Sequence, residues 1–104
     1  MTNRRQHYRI VYAPEERPSV RIRGESYPIL DLSEVAARVE MSGMKTGDRV
    51  VLGFRILDAM LMRPGIVYRA VPGETVVLLD QPLPRRLLLG EQQRLIRAVR
   101  DAEE

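Results

Sequence analysis

The chain has 104 residues and a formal net charge of +3, with no cysteine and a single histidine. A chain of this length suits one domain with one modest core, burying roughly 60% of the surface its unfolded form exposes. The absence of cysteine removes disulfides and thiolate metal sites, and one imidazole makes no metal cluster, so neither a metal site nor a metalloenzyme is expected. No window approaches the roughly 18 consecutive apolar residues of a membrane span, so no membrane insertion is expected. The polar start Met1-Thr2-Asn3-Arg4-Arg5 is followed by no apolar run like that of a secretory signal, which points to a cytoplasmic location.

The basic residues are strongly biased, because sixteen of the seventeen are Arg and only Lys45 is Lys. Arg stays charged and meets phosphate or the O6/N7 edge of guanine with two parallel N–H donors. The bias therefore suits anion recognition, although a genome rich in G and C produces it equally well.

Taken in order, residues 1–6 are polar and aperiodic and read as a flexible arm. Tyr8, Ile10 and Tyr12 alternate with Arg9, Val11 and Ala13, the period of a strand. Pro14 and Pro18 bracket a charged loop, and Val20 and Ile22 resume the alternation. Gly24-Glu25-Ser26 reads as a turn. Tyr27 to Leu32 and Ala37 to Met41 are two further extended segments, so that Asp31 falls at a strand end or tight connection. Ser42 to Asp48 is a loop containing Gly43 and Gly47, which supply positive φ. Val50, Leu52, Phe54 and Ile56 then alternate with Val51, Gly53 and Arg55 as a strand with one face in the core. Leu57 to Met62 is an apolar run read as strand. Pro64-Gly65 is a turn signal, and Ile66 to Val71 and Thr75 to Asp80 form a hairpin about Pro72-Gly73-Glu74.

Beyond residue 82 the period changes. Leu88, Leu95, Val99 and Ala102, with Ile96 beside them, make one apolar stripe of a helix whose regular part is expected to start near Gly90. That stripe would cover an open side or end of the β structure. Several short strands with Gly/Pro turns, closed by one helix, predict a mainly β fold, a small barrel or sandwich.

Two stretches carry recognisable chemistry. Arg4-Arg5-Gln6-His7-Tyr8-Arg9 offers three guanidinium groups ahead of a strand, donors only, suited to an anion or to guanine. Asp31-Leu32-Ser33-Glu34-Val35-Ala36 sets a carboxylate and a hydroxyl on one face of an extended segment, followed by a small residue. Each has a plainer reading: Arg4 and Arg5 as a solvated basic tail, and Asp31 and Ser33 as residues that stabilise a turn through nearby backbone. His7 reads as solvated or packed, and Glu15 and Glu16 as a solvated charge pair. No Ser/His/Asp order, Walker loop or dinucleotide glycine fingerprint occurs, so no enzyme activity is expected.

In this order and spacing, Arg-Arg-x-x-x-Arg followed by Asp-x-Ser-x-x-small resembles the PilZ family of bacterial cyclic di-GMP receptors. The resemblance extends over nearly the whole chain, with Val50 to Ile56, Ile66 to Val71 and Val76 to Leu79 as later barrel strands. It implies one domain over 1–104: an arm at 1–6, a six- to seven-stranded antiparallel split barrel at 7–82 and a helical segment at 83–104. It assigns Arg4, Arg5 and Arg9 to phosphates and guanine O6/N7, Asp31 to the guanine N1 and N2 donors, and Ser33 to a neutral hydrogen bond. Ala36 stands where the family usually has Gly, against the ligand, and Arg69 is an extra cation from a later strand. The implied function is a cyclic di-GMP receptor that changes conformation and signals to an effector protein, as a monomer or weak dimer with no other cofactor. An adaptor of the same fold that works through protein contacts without nucleotide is the alternative. A nucleic-acid partner is not expected, because the aromatics that would stack on bases number five and only Tyr8 lies near the Arg cluster.

Overall fold

A computed structural model describes residues 9–102. The strands are β1 (Arg9–Val11), β2 (Ser19–Ile22), β3 (Glu25–Ser33), β4 (Ala36–Val39), β5 (Arg49–Ile56), β6 (Ala59–Val71) and β7 (Glu74–Leu79), followed by the helix α1 (Arg85–Ala102). β3, β2, β5, β6, β7 and β4 pair in turn, all antiparallel, and β4 pairs back onto β3, so six strands close into a barrel. β1 is the extra strand and lies against the end of β3. The mainly β fold with a single C-terminal helix is the expected one. Among the described residues, no helix is long and apolar enough to cross a membrane.

Alternation along each strand builds the interior. Val20 and Ile22 of β2, Val50, Leu52, Phe54 and Ile56 of β5, Val67 of β6 and Val77 and Leu79 of β7 all point inward and are buried. Ile10, Tyr12, Leu83 and Leu88 join the same core, so β1 and the lead into α1 are fastened to the barrel by burial of apolar surface.

Several boundaries differ from the sequence reading, each for a local reason. The first strand is only Arg9–Val11, although Tyr12 still donates its N–H to the Leu30 carbonyl at 3.0 Å. The first hairpin turns on Arg23-Gly24, with φ of 53° and 85°, so Glu25 and Ser26 belong to β3. Two consecutive positive φ values are what a two-residue hairpin needs to match strand twist. The fourth extended segment is Ala36–Val39. In the apolar run 57–62, Leu57 and Asp58 form the turn, Leu57 with a φ of 55°, and strand resumes at Ala59.

Pro64-Gly65 is not a turn, since β6 runs unbroken from Ala59 to Val71. The Pro64 carbonyl accepts the Asp80 N–H at 2.8 Å, so its nitrogen also faces the β7 side. The last β6–β7 pair is Gly65 with Leu79, so the missing N–H of Pro64 falls where that pairing has ended. The helix opens at Arg85, not near Gly90. Pro84 supplies the start, its carbonyl accepting the N–H of Leu87 at 3.1 Å, and Gly90 lies close to the barrel, where an added Cβ would stand 3.0 Å from the Leu57 side chain. Of the apolar stripe, Leu88 is buried and Leu95 half-buried, whereas Ile96 and Val99 are exposed.

Candidate functional site

The candidate site lies on the outer wall of the barrel, and a bulge in β3 creates it. Ile29 pairs with Val39 but Asp31 pairs with Arg38, so β3 spends one residue more than β4 over this interval. The extra residue reverses the alternation. Leu32 turns inward opposite Ala37, and Asp31 and Ser33 face outward. β1 is in register with this outer face, with Val11 opposite Asp31 and Arg9 opposite Ser33.

Asp31 is nevertheless covered, its side chain only 10% exposed, because two guanidinium groups lie over it. Arg38 donates from Nε at 2.8 Å and approaches with Nη2 at 2.7 Å, and Arg9 donates from Nη2 at 3.4 Å. All three contacts converge on Oδ2, and none uses Oδ1. Arg38 turns its remaining nitrogen, Nη1, to Glu74 of β7 at 2.7 Å. Its pKa is raised above the ordinary guanidinium value, chiefly by the Glu74 hydrogen bond, then by Asp31, against a partial desolvation. Arg38 is thus a fixed cation held between two carboxylates.

Ser33 has a local role. Its Oγ accepts the N–H groups of Val35 at 3.3 Å and Ala36 at 3.1 Å and donates to the Ala36 carbonyl at 3.4 Å, which holds the tight β3–β4 connection. That connection is fastened from outside, since Leu83 N–H donates to the Glu34 carbonyl at 2.7 Å and Arg85 Nε to the Glu34 carboxylate at 2.8 Å. Ala36 has no positive φ, so its side chain strains nothing.

Arg9, Asp31, Ser33, Ala36, Ala37, Arg38 and Val76 line one pocket of about 220 Å³. This is below the roughly 300–1,000 Å³ of sites that enclose drug-sized ligands. It fits one ring or one phosphate of a larger molecule, the rest lying along the barrel wall. Chemically it offers two permanent cations, a carboxylate acceptor and a floor of small residues.

Of the residues singled out in the sequence, Arg9, Asp31, Ser33 and Ala36 are therefore brought together. Arg4, Arg5 and His7 lie outside the described residues. Arg69 does not line the pocket. It pairs with Val76 at a bulge in β6, on the far side of β7 from Arg38, and both it and Tyr68 are exposed. The sequence reading missed Arg38 and Glu74. Burial along β4 alternates so that Arg38 lies on its outer side, and the bulge sets it opposite Asp31.

A second polar cluster ties the helix down. Tyr12 donates its hydroxyl to the buried carboxylate of Glu91 at 2.9 Å, and Arg94 grips the same carboxylate with Nε at 2.9 Å and Nη2 at 3.2 Å while reaching Glu16 at 3.4 Å. Burial and the adjacent Glu91 push the Tyr12 hydroxyl pKa well above the ordinary phenol value. The 88, 91, 95 spacing, which places Glu91 on the buried stripe of the helix, was the available signal. No group of His, Asp or Glu able to hold a metal ion occurs among the described residues.

The fold defines a class, a small closed antiparallel β-barrel with one extra strand and a C-terminal helix, and its outer wall carries a small pocket lined by Arg9, Asp31 and Arg38. No protein-family model and no curated protein matches the chain.

Proposed function

We propose that this chain is a PilZ-type binding module that takes cyclic di-GMP at the Asp31 pocket and signals by conformation to an effector protein. The observation that carries the reading is the convergence of Arg9 and Arg38 on one oxygen of Asp31 over a floor of Ala36 and Ala37. Guanine presents N1 and N2 donors to a carboxylate and O6 and N7 acceptors to a guanidinium, so the pair Asp31 and Arg9 complements both edges. Among the described residues, the internal contacts all fall on Oδ2, which leaves Oδ1 of Asp31 as an acceptor for the ligand. Arg9 has open space into which its guanidinium can turn, with its side chain 55% exposed. Arg5 is four residues ahead of it, so the chain allows its backbone within about 14 Å of Arg9, close enough for its side chain to serve a phosphate at the same site.

Each charge-assisted bond of this kind contributes about 1.5–3 kcal/mol, so loss of one Arg weakens binding by roughly ten-fold or more. The test is calorimetric titration of cyclic di-GMP into the protein, with GTP and cyclic GMP as controls and Arg5→Ala and Arg9→Ala variants alongside. Saturable heat for cyclic di-GMP alone, diminished in both variants, is the expected result. Flat heats from a sample shown to be folded by circular dichroism would overturn the reading.

One observation favours an adaptor that binds no nucleotide. The Ser33 hydroxyl is engaged by the turn and Oδ2 of Asp31 by two guanidinium groups, so both motif residues already have structural partners. Flat heats in the same titration would select it.

A further inference from the structure

The outer face of the β5–β6 hairpin carries a surface that the Asp31 pocket does not use. Val51, Gly53 and Arg55 of β5 stand outward, opposite Pro64, Met62 and Met60 of β6. Met60 is 64% and Met62 63% exposed. Gly53 leaves the middle of this face without a side chain, and a Cβ there would come within 3.0 Å of Met62 Sδ, so the thioether lies across bare β5 backbone. Met60 Sδ sits beside the Arg55 Nε at 3.4 Å. Unbranched thioethers repack around varied apolar shapes, and a glycine inside a strand marks a place where another chain can approach closely.

The rim is cationic. Arg21 of β2 is in register with Gly53, and Arg23 and Arg49 bound a shallow depression of about 400 Å³ floored by Val51 and Pro64. Of Arg21, Arg23, Arg49 and Arg55, only Arg49 has a carboxylate partner among the described residues, Asp80. The guanidinium groups of Arg21 and Arg23 donate to backbone carbonyls, those of Gly24 and Arg49. The nearest acids along the chain are Asp48, whose carboxylate accepts the Lys45 backbone N–H, Glu25, which accepts from the Tyr27 hydroxyl, and Asp58 in the β5–β6 turn. An apolar centre with unbalanced cations around it is complementary to apolar side chains flanked by carboxylates.

We propose that this face docks a partner protein through a segment that intersperses acidic and apolar side chains, the apolar ones on Val51, Met60 and Met62 and the carboxylates on Arg21, Arg23 and Arg55. No aromatic side chain lies among these residues to stack on bases, which favours a peptide over a single-stranded nucleic acid. The proposal shares no residue with the Asp31 pocket and stands or falls separately from the nucleotide reading.

The test uses the whole chain labelled at its methionine methyls, titrated with a short synthetic peptide of alternating leucine and glutamate. Parallel samples receive the leucine–lysine counterpart, vesicles of phosphatidylglycerol and phosphatidylcholine, and single-stranded DNA. The Met60 and Met62 signals should shift saturably with the acidic peptide alone. An Arg21→Glu, Arg55→Glu double variant should bind about ten-fold more weakly while keeping the parent circular dichroism spectrum. Unmoved methyl signals, a response that survives charge reversal, or a response to vesicles or DNA in place of the peptide would each overturn the proposal.

Discussion

Arg38 brings two guanidinium nitrogens, Nε at 2.8 Å and Nη2 at 2.7 Å, onto a single oxygen of Asp31. The bulge in β3 makes them neighbours, and Glu74 fixes the far side of the guanidinium. Among the described residues, removing Arg38 leaves the largely covered carboxylate with only the longer contact to Arg9. Because Arg38 is itself about one-third exposed, the loss is discounted for solvent to about 1–2 kcal/mol. Arg38→Ala should therefore lower the melting temperature by roughly 4–16 °C for a domain of this size. Arg38→Lys should recover only part of it, since an ammonium cannot present the planar fork. Thermal unfolding of the three proteins checks this, and equal melting temperatures would show that the pair contributes nothing.

Ala36 stands where the family resemblance expects Gly, and its backbone has no positive φ. Nothing is strained, so Ala36→Gly relieves nothing. It should instead cost about 0.5–1 kcal/mol in strand β4 through added chain entropy. In the calorimetric titration, affinity for cyclic di-GMP should change by less than about ten-fold, the methyl being one small group on the pocket floor. A gain well beyond that would mean the methyl blocks the ligand, and Ala36 would then be the main determinant of affinity.

The barrel was legible because alternation of period two is a local signal, and Val50 to Ile56 shows it without interruption. Asp31 and Ser33 were legible as a pair on one face for the same reason. Arg38 was not, because its meeting with Asp31 depends on a one-residue slip in register that neither strand announces. Pro64-Gly65 misled for a related reason: both residues are turn formers locally, yet the neighbouring β7 backbone decides their role. Glu91 was hidden by its own polarity, since a carboxylate on the apolar stripe of a helix makes sense only with Tyr12 and Arg94 in view.

Gly65 separates the turn reading from the strand reading experimentally. A Cβ at this position would stand 2.5 Å from the Leu78 carbonyl oxygen and 2.7 Å from Val77 Cγ1. The obstacle is mainly backbone, so the β6–β7 pair must open to admit a methyl. Gly65→Ala should lose about 1–3 kcal/mol, the usual cost of overpacking. Were 64–65 an exposed Pro-Gly turn, the same change would cost about 1 kcal/mol through the positive φ that the glycine would adopt, so a loss clearly above that value identifies the strand. Urea unfolding distinguishes the two, read as a shift in midpoint without a change in slope.

Tyr12 and Glu91 predict how the fold responds to base. The phenol is held in its neutral form by burial and by donation to the Glu91 carboxylate, so its pKa in the folded state lies above the unfolded value near 10. The folded protein then keeps a proton that the unfolded chain gives up. Stability from this group is complete below about pH 10 and declines above it, by up to about 1.4 kcal/mol per pH unit while the folded phenol stays protonated. Tyr12→Phe removes that slope, and at neutral pH leaves Glu91 with Arg94 as its remaining partner, a loss of about 1 kcal/mol. Glu91→Ala should cost more, about 2–3 kcal/mol, because it leaves both the buried hydroxyl and the Arg94 guanidinium without their acceptor. Denaturant midpoints measured from neutral to strongly basic pH, with Glu91→Ala and Tyr12→Phe combined in a double-mutant cycle, isolate the pair. A parent and a Tyr12→Phe variant that lose stability in parallel above pH 10 would show that the helix is not held by this contact.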